Sequence, residues 1–189
     1  MNSAHRWSTA SLYNPFSFIA GYSAFAIGTA ILLLTVYLSY ITGTHYSGLI
    51  NIYFAKDTPF VFYFIEQAAH WIMLSILLFV FGTFLSKSKI RFIDVIGTQA
   101  MARVPLLLLP MIRMLPPFES FMINSFQMNF LIALYIILAM WSITLMFNAY
   151  NISCNVRHKP LVISFIVALF LSEFFIKSII YITLNNLNL

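Results

Sequence analysis

Five long runs of apolar residues make up most of the chain, and the charged residues lie almost entirely between them. The runs cover about residues 18–41, 61–85, 92–112, 129–150 and 160–184. Each has roughly 20 residues or more, the length that an α-helix needs to cross a hydrocarbon core of ~30 Å. The pattern predicts an all-α fold, a polytopic membrane protein built as a bundle of five transmembrane helices.

The composition and the short connections agree with this interpretation. Hydrophobic residues form 61% of the chain and charged residues 8%, whereas soluble domains have roughly 25% charged residues. The longest connections, 43–60 and 113–128, are too short for a separate domain. We therefore expect one membrane domain over 1–189, located as a multi-pass protein in a cell membrane, the inner membrane if the source is bacterial. The first run is longer than the ~7–15 apolar residues of a cleaved signal peptide.

The basic residues are distributed unevenly among the connections. One side of the predicted membrane carries Arg6, Lys87, Lys89, Arg91, Arg157 and Lys159, and the other carries only Lys56 and Arg113. The positive-inside rule then predicts a cytoplasmic N-terminus and an external C-terminus. Because these residues account for the net charge of +5, no basic patch remains for nucleic acid, and we expect none to bind.

Small residues recur at four-residue spacing in the first run, at Ala20, Ala24 and Gly28. Such a stripe lets helix backbones approach closely. It serves either as a surface for a homo-oligomer or as a packing surface within one bundle, and the sequence leaves both open. The aromatic residues of the first external connection predict a segment that lies on the membrane surface; they are Tyr46, Tyr53 and Phe54.

Five ionisable residues lie inside the predicted spans: Glu66, His70, Arg103, Glu173 and Lys177. At a rise of ~1.5 Å per residue, Arg103 and Glu173 lie about 18–20 Å from the cytoplasmic end of their spans, and His70 about 14 Å below the external end. These depths form one band, so we predict an intramembrane polar cluster. Charges at such depth are costly and usually face one another or mark a functional path.

The cluster has several chemical interpretations. It stabilises spans two, three and five by internal pairing, or it forms a transport site in which Arg103 holds an anion and Glu66, His70 and Glu173 relay protons. Glu173 and Lys177 have the favourable i,i+4 order for an intrahelical ion pair. The Glu66–His70 pair lacks the third and fourth ligands of a stable metal site, so we predict no metal and no cofactor.

Two prolines, Pro105 and Pro110, lie in the third run beside Arg103. Each lacks a backbone N–H, and we expect them to kink or break the helix. They also free the carbonyls of Met101 and Leu106, which we predict as additional partners for the Arg103 guanidinium.

Four strings resemble the bacterial branch of the Ypt-interacting-protein (Yip) family of small multi-spanning membrane proteins. They are NPFSFIAGY (14–22), YSGLINIYF (46–54), EQAAHW (66–71) and SKSKIRFIDVIGTQAMARVP (86–105). The resemblance covers about the first 117 residues and implies five spans, short loops and a cytoplasmic N-terminus. The family's eukaryotic members are linked to small GTPases through a longer N-terminal region. This chain has only about 16 residues there, so GTPase binding is not carried over.

The leading functional hypothesis is a non-enzymatic integral membrane protein that organises the lipid bilayer or other membrane proteins. No nucleophile, base and orienting group occur together, which disfavours an enzyme. The alternative is a small transporter or channel that uses the polar cluster. A water-filled cavity reaching the cluster would favour transport, and a closed, paired cluster would favour the first hypothesis.

Overall fold

The computed structural model describes residues 15–17, 19, 21–48, 51–119 and 125–187. Within this part, five helical segments are long and apolar enough to cross a membrane, by length and composition. They are α1 (Gly21–Thr42), α2 (Phe60–Leu85), the third span (Phe92–Arg113), α6 (Ser125–Cys154) and α7 (His158–Leu187). The prediction of a mainly helical chain with five such segments is confirmed.

The third span is not one continuous helix. Its first part, α3, covers Phe92–Met101; a 3-10 turn follows over Val104–Leu107, and α4 covers Leu108–Arg113. Pro105 lies at the start of the 3-10 turn. Pro110 lies in the first turn of α4, where a backbone N–H has no intrahelical acceptor to lose, so the helix continues through it. A short helix α5 (Pro116–Glu119) follows.

The connection between α1 and α2 is a β-hairpin, where the sequence predicted a segment that lies on the membrane surface. Strands β1 (Thr44–Tyr46) and β2 (Ile52–Phe54) pair antiparallel, with His45 opposite Tyr53. All three residues of β1 are buried in the bundle. Strand pairing satisfies the backbone N–H and C=O groups, which is the condition for non-helical backbone inside a membrane protein.

The third span lies at the centre of the bundle. Of its most apolar window, 67% is buried, against 28–39% for the other four spans. A Cβ atom at Gly28 of α1 would lie 2.6 Å from the Ala100 Cβ, and one at Gly97 would lie 2.6 Å from the Phe25 backbone nitrogen. Glycine is therefore required on both helices for the backbones to approach this closely.

The small-residue stripe of α1 accordingly faces its own bundle. Ala24 and Gly28 are buried, and the α3 backbone lies against Gly28. Ala20 lies outside the described residues. Ala24 and Gly28 therefore serve the packing alternative that the sequence left open.

The connections after α2 and after α6 lie together at one end of the bundle. The Asn155 Nδ2 donates to the Ser88 Oγ at 3.5 Å, so the exposed bases of these connections share that end; Arg6 lies outside the described residues. The hairpin lies at the opposite end. Arg113, predicted as an external loop base, is instead 2% exposed.

Candidate functional site

The Glu66 carboxylate is held by the hairpin. Glu66 projects from α2 with 1% exposure, and its Oε2 accepts a hydrogen bond from the His45 Nδ1 at 3.0 Å. The Tyr53 hydroxyl donates to the other carboxylate oxygen at 3.5 Å. His45 itself is fully buried. A carboxylate in this position is stabilised only because donors surround it.

Aromatic rings enclose this pair. The His45 ring stacks on Tyr53, with centroids 4.4 Å apart and an interplanar angle of 4°, and on Tyr63 at 4.1 Å and 26°. Burial, followed by the nearby Glu66 charge, raises the pKa of the Tyr53 phenol well above its usual range. Tyr53 therefore stays a neutral donor to Glu66 at any ordinary pH.

The two buried histidines point their donors at Glu66. The His70 Nδ1 donates to the Glu66 backbone carbonyl at 2.7 Å, as the His45 Nδ1 does to the side chain. In both rings the Nε2 is buried and has no partner among the described residues. A neutral imidazole with its proton on Nδ1 leaves no buried donor unsatisfied, so this tautomer fits both sites.

Arg103 lies where the third span is broken, and it is 6% exposed. Tyr46, Tyr135, Glu173 and His70 all lie near enough to its guanidinium to interact with the charge electrostatically. Its Nε has no hydrogen-bond partner within the described part of the chain. The guanidinium thus lies near His70 on α2 and Glu173 on α7.

The carbonyls around the break are satisfied by side chains other than Arg103. The Tyr46 hydroxyl donates to the Leu106 carbonyl at 2.7 Å, and the Ser142 hydroxyl donates to the Ala102 carbonyl at 2.8 Å. The Leu106 carbonyl was predicted as a partner of Arg103; the hairpin tyrosine takes it instead. Burial raises the pKa of the Tyr46 phenol well above its usual range, which keeps its donor proton in place.

The remaining two members of the predicted cluster lie on α7. Glu173 is half-buried beside the hairpin, where its Oε2 would lie 2.8 Å from a Cβ at Gly48. The Tyr135 hydroxyl donates to the Gly48 carbonyl at 3.2 Å and fixes that turn. Lys177 is exposed one helical turn further on. The structure therefore brings Glu66, His70 and Arg103 inside, places Glu173 at the margin, and leaves Lys177 outside.

Arg113 attaches the hairpin to the rest of the bundle. Its Nη2 donates to the Thr42 carbonyl at 3.1 Å and its Nη1 to the Phe118 carbonyl at 2.9 Å. Its guanidinium also lies over the Phe54 ring, 4.5 Å from the centroid. The buried cation is therefore held by carbonyls and an aromatic face.

Sequence reasoning missed the hairpin residues that complete the site, His45, Tyr46 and Tyr53. Two short β-prone stretches flank a turn that contains Gly48, and this pattern is typical of a hairpin. Among the described residues, no group of three or more His, Cys, Asp or Glu side chains is placed to hold a metal ion.

Comparison with protein-family models, with curated proteins and with solved structures finds no match for this chain.

Proposed function

We propose that the chain is a multi-pass, non-enzymatic integral membrane protein that organises the surrounding membrane or partner membrane proteins. In this proposal its N-terminus is cytoplasmic and it resides in a cell membrane, the inner membrane in a bacterium. The five apolar helices and the bases gathered at one end support this arrangement. The resemblance of residues 14–105 to the bacterial Yip branch supports the same class of protein.

One observation carries the proposal: the Glu66 carboxylate is closed off within the protein. It is 1% exposed and bonded to His45, whose ring stacks on Tyr53 and Tyr63. A proton or ion relay needs groups that exchange with water on both sides. An acid enclosed by a folded hairpin is suited to holding helices together instead.

A second candidate function, transport through the cluster, is favoured by a different observation. The Arg103 Nε, the His70 Nε2 and the Gln67 Nε2 are buried and lack partners among the described residues. Buried polar groups are normally satisfied by protein or water. Water at these atoms would give the interior a hydrated layer.

A flux assay separates the two candidates. The purified chain is reconstituted in liposomes that contain a pH-sensitive dye, and a proton gradient or an anion gradient is applied. The proposal expects the same leak for wild type, Glu66→Gln and protein-free liposomes. Flux above the protein-free level that Glu66→Gln abolishes would overturn the proposal and establish transport.

A crosslinking assay tests the organising role directly. A photoreactive amino acid replaces Phe84 or Phe126, which are 82% and 79% exposed and face outward. An organiser of partner proteins gives discrete adducts of defined mass in cells, and one that acts on lipid gives lipid adducts. The buried position Phe62, 0% exposed, is the matched control and gives neither. If the exposed positions react no more than Phe62, the organising role is wrong.

A further inference from the structure

A groove lies between α2 and α7 at the end of the bundle that carries the exposed bases. Its volume is about 320 Å³, which lies in the range of small-molecule sites, ~300–1,000 Å³. Four apolar side chains line it, Phe81 and Leu85 from α2 and Ile163 and Val167 from α7. Lys159 lines it as well. We call this space the α2–α7 groove.

The groove faces outward from the bundle. Buried residues of both helices, Leu78 of α2 and Ala168 of α7, belong to one apolar cluster of the core. The lining residues lie on the outer flank of the same helices: Leu85 is 44% exposed, Ile163 62% and Val167 41%. A molecule dissolved in a bilayer therefore reaches the groove sideways, without passing through the core.

The order of apolar and charged side chains along the groove matches that of a phospholipid. The helix α7 begins one residue before Lys159, so Ile163 lies about 6 Å and Val167 about 12 Å deeper at a rise of ~1.5 Å per residue. The helix α2 ends at Leu85, and Phe81 lies about 6 Å deeper by the same rise. From the core outward the groove presents hydrocarbon first and an ammonium last. A phospholipid presents its acyl chains first and its phosphate last.

The connections beside the groove carry an excess of positive charge. Residues 86–91 and 155–159 contain five lysines and arginines and no acid. The Arg91 Nε pairs with the Asp94 Oδ2 at 2.8 Å. The other four bases are exposed, and within the described part of the chain no hydrogen bond or ion pair joins them to a side chain; they are Lys87, Lys89, Arg157 and Lys159. Because the two connections contact each other, these charges act on one region of the membrane surface.

We propose that the α2–α7 groove binds one anionic phospholipid, with its phosphate at Lys159 and an acyl chain along the apolar lining. Bilayer hydrocarbon is as apolar as the lining, so the groove fixes the position of the lipid by packing and contributes little to the choice of headgroup. The bases make that choice. A basic residue near a membrane surface strengthens the binding of anionic lipid about fivefold. A zwitterionic lipid brings its own cation toward the same bases and gains less.

This inference rests on the membrane location of the proposed function and adds the class of lipid that the chain holds. Alkaline carbonate extraction of membranes tests the location separately. If carbonate releases the chain, the proposed function and the groove site both fail. If the chain stays in the membrane pellet but binds lipids without selectivity, the groove site alone fails.

Native mass spectrometry of the full chain in detergent measures the selectivity. The probes are phosphatidylglycerol and phosphatidylcholine with identical acyl chains, which share the phosphate and differ in net charge. We expect one retained lipid and about tenfold tighter binding of phosphatidylglycerol, about fivefold from Lys159 and about twofold from the more distant bases. Equal binding of the two lipids by the wild type would overturn the assignment.

Three charge variants assign the contact. Lys159→Gln should reduce the preference for phosphatidylglycerol to about twofold, whereas Lys159→Arg keeps the charge and should keep the preference. Lys177→Gln is the matched control, because Lys177 is another exposed lysine of α7 and lies at the hairpin end; it should change neither affinity. If Lys177→Gln reduces the preference as much as Lys159→Gln, net charge and not the groove selects the lipid, and the site is refuted.

Two apolar variants test the groove itself. Val167→Trp fills it without altering charge and should abolish the retention of both lipids. Val162→Trp is the matched control, because Val162 is 45% exposed and lies about 140° around α7 from Val167; it should retain both. Circular dichroism and size-exclusion chromatography establish the fold of each variant, and the charge variants decide the question if Val167→Trp does not fold. A lipid-free wild-type dimer that Val167→Trp disperses would refute the lipid site and assign the groove to a second copy.

Discussion

Replacing His45 with leucine removes the ring that donates a hydrogen bond to the Glu66 carboxylate inside the bundle. His45 is fully buried and Glu66 is 1% exposed, so solvent screens neither partner. A buried hydrogen bond to a charged group contributes about 1.5–3 kcal/mol, and an abandoned buried carboxylate adds a desolvation penalty. Leucine retains only part of the stacking on Tyr53 and Tyr63, which contributes about 0.5–1.5 kcal/mol per pair. We expect His45→Leu to lower the free energy of unfolding by about 2–4 kcal/mol.

Glu66→Gln should lower the free energy of unfolding by less, about 1 kcal/mol. The amide oxygen still accepts a hydrogen bond from the His45 Nδ1, and no charge is buried. The double variant should then be more stable than additivity predicts, by about 1–2 kcal/mol, since the uncompensated carboxylate is absent. Unfolding is measured by SDS titration from neutral-detergent micelles. Tryptophan fluorescence reports it: one of the three tryptophans, Trp71, donates from its indole Nε1 to the Ile96 carbonyl of the next helix at 2.8 Å.

His158→Asn is the matched control, because His158 is exposed at a positive φ of 61° that asparagine tolerates. Its free energy of unfolding should lie within about 0.5 kcal/mol of the wild-type value. If His45→Leu is as stable as the control, or if the two substitutions are simply additive, then the pair does not hold the hairpin and the reasoning fails.

Three further outcomes are expected. In the same titration, Gly28→Ala should lower the free energy of unfolding by about 1–3 kcal/mol, because the added methyl group overpacks against α3. Ala30→Leu, on the exposed face of α1, should not lower it. Equal effects of the two substitutions would contradict the close approach of the two helices. Arg113→Met should lower the free energy of unfolding by about 2–4 kcal/mol, because the carbonyls of Thr42 and Phe118 lose their donor. Proteolysis within residues 43–60 should then be faster. An unchanged cleavage rate would show that Arg113 does not attach the hairpin to the bundle. An impermeant thiol reagent applied to intact cells should label cysteine at Lys56 and leave cysteine at Lys89 unlabelled; the reverse pattern would invert the proposed topology.

The helical part of the fold could be predicted because apolar length and loop charge act locally. The break in the third span could also be predicted, since Pro105 cannot donate a backbone hydrogen bond. Pro110 shows the limit of this reasoning. The same chemistry predicts another interruption, yet the residue falls in a first turn where its missing N–H has no consequence.

The site was harder to predict, because its pairings join residues that are distant in the chain. Depth alone placed His70, Arg103 and Glu173 in one band, with Glu66 one turn away. It could not show that His45, 21 residues before Glu66, would bond to the carboxylate that was predicted as a partner of Arg103. Likewise, the Leu106 carbonyl was a candidate partner for the nearest cation, but a tyrosine 60 residues earlier reaches it. Such choices depend on the folded arrangement of the hairpin.

The hairpin imposes an order on assembly. It is synthesised between the first two spans, yet the Leu106 carbonyl that Tyr46 needs lies 60 residues later and the Tyr135 that holds Gly48 lies 87 residues later. At ~5–20 residues per second, the ribosome takes about 4–17 s to supply the second partner. During this interval the strand edges lack the bundle that later covers them, and bare edges invite wrong pairing. The chain must therefore keep the hairpin in water or shielded by insertion machinery until the fourth span arrives, so its docking is a late step of biogenesis.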